Sequence, residues 1–70
     1  MSRMKIQGQQ VWQGQQVMFY AGSEAGWLKG KITGWLRTST RKWVFVLGEG
    51  DGREHMVSAQ AQPAEIQLQS

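Results

Sequence analysis

Between Trp27 and Leu36 the chain alternates without interruption, and this stretch restricts the fold more than any other. Successive side chains of an extended strand point to opposite faces. Leu28, Gly30, Ile32, Gly34 and Leu36 therefore share one face, and Trp27, Lys29, Lys31, Thr33 and Trp35 share the other. The first face is apolar and interrupted by two glycines. Glycine inside a strand marks a bulge, a sharp bend or a close backbone approach. A strand of this kind predicts a sheet that curls on itself. No segment carries sustained helical periodicity, so the chain reads as all-β.

The other strands follow from apolar runs and the turns between them. Residues 7–16 are rich in glutamine and contain a short repeat: Gly8-Gln9-Gln10-Val11-Trp12 is echoed by Gly14-Gln15-Gln16-Val17-Met18. The second copy leads into Val17-Met18-Phe19-Tyr20, a β-type run, and is read as the first strand. The first copy is then an irregular arm or an extra edge strand. Residues 1–13 are expected to be a flexible glutamine-rich arm, and residues 14–68 the folded domain. Ala21 to Gly26 is a loop by composition, and Thr38 to Arg41 is a turn. Trp43 to Leu47 is a continuous apolar strand, and Asp51-Gly52 is a favoured hairpin dipeptide. Arg53 to Val57 is its partner strand. A single 3₁₀ turn is expected over Ser58–Gln62, then Pro63 and a short last strand, Ala64 to Gln67.

Seventy residues make one domain with a small core. Chains this short often rely on disulfides or metals. There is no cysteine and only one histidine, His55, so packing, self-association or both must supply the stability. The lack of cysteine fits a reducing cytoplasm. No apolar run suits a secretory signal or a membrane span, so a cytoplasmic protein with no membrane contact is expected.

Five short strands, a long first loop, two tight hairpins and a 3₁₀ turn before the last strand make the plan of a single small five-stranded antiparallel SH3-like barrel, running from about Gln15 to Gln67. Trp27-Leu28-Lys29-Gly30-Lys31-Ile32 resembles the second strand of Tudor-like domains, and Trp43-Val44-Phe45-Val46, the acidic glycine-rich turn and Glu54 continue the likeness. The resemblance implies an aromatic cage for a methylated cation, with Tyr20, Trp27 and Phe45 as walls. No acidic residue on these strands matches the one usual in such cages. Gly30-Lys31-Ile32-Thr33-Gly34-Trp35 is similar to the Gly-x-Ile-x-Gly-Trp stretch of type II dihydrofolate reductases, which are also SH3-like barrels and assemble around a central pore. Where that family has Val-Gln-Ile-Tyr, this chain has Glu54-His55-Met56-Val57, and Val17 to Tyr20 contains no counterpart of the family's pore lysine. The resemblance therefore implies the fold and a habit of self-association, and does not carry over the catalysis or its nicotinamide cofactor.

No phosphate loop, nucleophile elbow or metal-ligand cluster is present. His55 reads as a strand histidine facing solvent or an interface, and Glu49, Asp51 and Glu54 as solvating turn acids. No catalytic residue, metal or cofactor is expected. Charge and tryptophan say more. The net charge is +3, five of eight basic residues lie at positions 29–42, and no acid lies between Glu24 and Glu49. Such a block attracts phosphate or, more plainly, makes a solvated sheet edge. Four tryptophans exceed what so small a core can bury. Trp27, Lys29, Lys31 and Trp35 on one face could stack bases and grip phosphates. The same face could be an oligomer interface, or the strand could bend at Gly34 and turn Trp35 inward. The leading expectation is a non-enzymatic module that binds DNA or RNA through Trp27, Lys29, Lys31, Trp35, Arg37, Arg41 and Lys42. The alternatives are a protein-interaction or self-assembling module, and a divergent reductase of the type II kind.

Overall fold

The computed structural model describes residues 3–69. Seven strands follow in order: β1 (Met4–Ile6), β2 (Gln9–Val11), β3 (Gln16–Tyr20), β4 (Trp27–Arg37), β5 (Lys42–Gly48), β6 (Glu54–Ser58) and β7 (Ile66–Leu68). Strands β3 to β7 form one antiparallel sheet in the order β6-β5-β4-β3-β7, and β1 and β2 form a separate two-stranded sheet. The described fold is thus all-β with a five-stranded antiparallel sheet. The edge strands β6 and β7 share no ladder, so hydrogen bonding does not close the sheet into a barrel.

The segment read as an arm is a hairpin. Ile6 pairs with Gln9, and the two residues between them, Gln7 and Gly8, both have positive φ (54° and 79°). Such a turn matches the twist of the strands it joins. Met4, Ile6 and Val11 are buried and belong to the main core. Each such side chain contributes about 1.5–3 kcal/mol by leaving water, so the hairpin is part of the folded unit. Both repeat copies play the same part: a positive-φ glycine, Gly8 or Gly14, precedes a strand that delivers a buried valine, Val11 or Val17.

The remaining core comes from the sheet: Phe19, Ile32, Val44, Val46, Val57 and Ile66. Gly30 sits where β4 crosses this core. A methyl group there would lie 2.6 Å from Val46 Cγ1 and 2.7 Å from the Leu47 carbonyl, so only glycine fits the approach of these strands. Three further expectations differ from the structure. The segment after β6 forms a hydrogen-bonded turn at Ala59–Gln60 and bends at Gln62–Pro63, with no 3₁₀ turn. The β5–β6 connection is a four-residue loop closed by the Gly48 N–H donating to the Arg53 carbonyl, because Gly52 alone in it takes positive φ. The last strand starts at Ile66.

Candidate functional site

The face Trp27-Lys29-Lys31-Trp35 does not exist as one surface. Ile32 pairs with Val46 but Gly34 pairs with Phe45, leaving Thr33 as an extra residue in β4. A one-residue bulge inverts the facing of everything beyond it. Trp35 consequently stands opposite buried Val44 and packs against the core, and Leu36 turns outward with 49% of its surface exposed. Of the readings open for this strand, the inward turn of Trp35 is the one observed.

The first half of β4 keeps the expected arrangement. Trp27, Lys29 and Lys31 are exposed and stand opposite Tyr20, Met18 and Gln16 of β3. The Trp27 and Tyr20 rings are 5.9 Å apart at 59°, within the range of tilted aromatic pairs. Phe45 does not complete a cage with them. It lies opposite Gly34, seven positions along β4 from Trp27, on the order of 20 Å away.

Arg37, Arg41 and Lys42 gather at the far end of β4. Arg37 and Lys42 are direct cross-strand neighbours. Arg37 Nη2 donates to the Arg3 carbonyl at 2.7 Å, so a fourth basic residue joins the group from the N-terminal segment. The turn between the strands is held by Thr38, whose N–H donates to the Arg41 carbonyl (2.8 Å) and whose Oγ1 accepts from the Arg41 N–H (2.9 Å). This turn carries the Arg41 guanidinium to 5.9 Å from the Trp43 ring, a cation–π distance. Beside the pair runs an open groove lined by Thr40, Arg41, Trp43, Ser58, Gln60 and Glu65, among others. Gln60, one of its lining residues, is held where its Oε1 accepts from the Lys42 backbone N–H at 3.1 Å.

Like charges directly opposite in a ladder repel, and Glu65 on the adjoining groove is the nearby acid. Among the described residues, the only contact between a basic side chain and a carboxylate is a hydrogen bond between His55 Nε2 and Asp51 Oδ2 at 2.8 Å, and no lysine or arginine is paired with a carboxylate. The cations surround the end of the β4–β5 hairpin on both faces: Arg37 and Lys42 continue the Trp35–Val44 side, where Arg37 meets the Arg3 main chain, and Arg41 stands with the half-exposed Trp43 indole on the other. Sequence reading named three of these four basic residues but missed Arg3 and Trp43. The excess of tryptophan was the available signal for Trp43. Arg3 gave none, because its place depends on the hairpin.

His55 faces inward, contrary to the solvent-facing expectation. Its ring is 4.8 Å from that of Phe19, because it pairs with buried Val46 and shares its facing. Asp51 reaches it only because position 48 has no side chain; a Cβ on Gly48 would collide with the Asp51 carboxylate. The Asp51 carboxyl is held below its ordinary value, first by the Arg53 N–H and then by His55. Among the described residues, no group of three or more His, Cys, Asp or Glu side chains could hold a metal ion, and no helix is long and apolar enough to cross a membrane. No protein-family model, curated protein or solved structure matches the chain.

Proposed function

We propose that the chain is a small SH3-like module that binds single-stranded DNA or RNA at its cationic corner. Two features support the SH3-like reading. The first and last strands of the main sheet, β3 and β7, lie side by side, and the long bulged strand β4 can serve two facets of a curled sheet. The nucleic-acid reading rests on one observation: Arg37, Arg41 and Lys42, with Arg3 alongside, ring the hairpin end that carries Trp43, and among the described residues no carboxylate is paired to any of them. Backbone phosphates supply the missing counter-charge, and the indole with its groove offers a base a stacking surface. Lys29, Lys31 and Trp27 extend the positive surface along β4, and Trp35 does not take part, being packed on the core.

The test is a fluorescence-anisotropy titration of labelled single-stranded oligonucleotides with the whole protein. Binding at low salt that weakens steeply as salt rises is the expected result. No binding to DNA or RNA at low salt would overturn the reading.

A further inference from the structure

The edge strand β6 has unused hydrogen-bonding capacity, and its direction follows from the β5–β6 register. The Gly48 N–H donates to the Arg53 carbonyl, and the Ala59 N–H to the Lys42 carbonyl. Hydrogen-bonded pairs alternate along an antiparallel ladder, so Val46 with His55 and Val44 with Val57 are the bonded pairs between these points. The N–H and C=O groups of Glu54, Met56 and Ser58 therefore point away from β5. β6 ends the sheet, with β5 as its ladder partner.

Natural edges are usually protected by lysine, proline, a bulge or very short length. β6 is five residues of regular strand, Glu-His-Met-Val-Ser, with no lysine, proline or bulge, and its one carboxylate, Glu54, stands at its first position. The other edge, β7, is three residues long, follows Pro63, and its Ile66 carbonyl accepts from Gln7 Nε2 at 2.8 Å. The surface beside β6 is also apolar. On the outward side Met56 (57% exposed) lies next to Phe45, and Leu47 (42%) and Leu36 (49%) are close by on β5 and β4. None of these four packs against the core.

We propose that β6 is a homodimer interface, pairing antiparallel with β6 of a second copy about a two-fold axis at Met56. The occupant follows from self-complementarity. In this register Met56 meets Met56 of the second copy in a bonded pair, and Glu54 meets Ser58, so no like charges face each other. The acidic end of the β5–β6 hairpin (Glu49, Asp51, Glu54) comes to the partner's basic end (Arg37, Arg41, Lys42). The interface borders the cationic corner, since Ser58 also lines its groove, but it is carried by the β6 backbone and Met56, so the mass measurement and the nucleic-acid titration fail separately.

Sedimentation equilibrium of the whole chain across the micromolar to millimolar range tests this. The expected mass tends to twice the chain's 7.9 kDa. Met56→Lys places two ammonium groups at the axis and weakens the dimer by roughly tenfold or more, leaving the circular dichroism of the folded chain unchanged. In the wild type, isotope-filtered NMR gives an intermolecular Hα–Hα contact between His55 of one copy and Val57 of the other, the non-bonded pair of this register. A strict monomer, a dimer as tight with Met56→Lys as without it, or a dimer lacking the His55–Val57 contact each overturns the proposal.

Discussion

Trp35 stands directly opposite Val44 in the β4–β5 ladder, and this pairing takes its indole from the solvent side of the sheet to the core side. The cause is Thr33, the one residue between Gly30 and Arg37 of β4 without a partner on β5. Replacing Trp35 with alanine empties a partly buried site and is expected to cost about 2–4 kcal/mol. Trp12, 59% exposed, provides the contrast: Trp12→Ala stays within about 0.5 kcal/mol of wild type. Urea denaturation of the two variants checks this, and equal midpoints would show that Trp35 is not packed on the core.

The N-terminal hairpin yields a second prediction. Ile6 and Ile66 are equally buried, each at 1%, so Ile6→Ala and Ile66→Ala should each cost about 2–5 kcal/mol. A free arm at residues 1–13 would instead leave the urea midpoint untouched by Ile6→Ala.

These two cases show what could be read in the chain and what could not. Strands β3 to β7 announce themselves through apolar runs such as Val17-Met18-Phe19-Tyr20 and Trp43-Val44-Phe45-Val46-Leu47, bounded by glycine-rich turns, and all were placed to within about two residues. The bulge escaped because the alternation of residues 27–36 is unbroken in sequence. The extra residue appears only when the partner strand is laid beside it, and one residue is enough to invert a face. The hairpin escaped because Met4-Lys5-Ile6 is a single alternation in a polar segment. Its turn, Gln7-Gly8, also lacks the usual Asn or Asp. The basic corner was legible as a block of charge, but its union with Arg3 and Trp43 depends on contacts between distant parts of the chain.

At Gly30 the core approaches the backbone too closely for any side chain. Gly30→Ala forces a methyl against the Leu47 carbonyl and Val46, and should destabilise by about 1–3 kcal/mol through overpacking. Gly50, with nothing within 4 Å of an added methyl group, is the control, and Gly50→Ala should leave the urea midpoint nearly unchanged.

Acid should weaken the fold in part through Asp51. Its folded pKa is lowered from 3.8 by the Arg53 N–H and by His55. A lowered carboxyl stabilises the fold at pH above the unfolded value, and that contribution disappears as pH falls through the folded one. Stability should therefore decline below about pH 4, and Asp51→Asn should flatten this part of the curve. Urea midpoints measured from pH 5 downward decide it, and an identical decline in the variant would count against the Asp51 contacts.

The central claim is that the unpaired cations at the end of β4 hold the phosphates of a single strand, and the salt dependence of binding tests it most directly. Each phosphate neutralised on a single strand adds about −0.7 to the slope of log K against log salt. Four cations in contact predict a slope of about −3 for the wild type, falling to about −1.4 in Arg37→Gln/Lys42→Gln. Absence of binding, or a slope that the double variant leaves unchanged, would contradict the account.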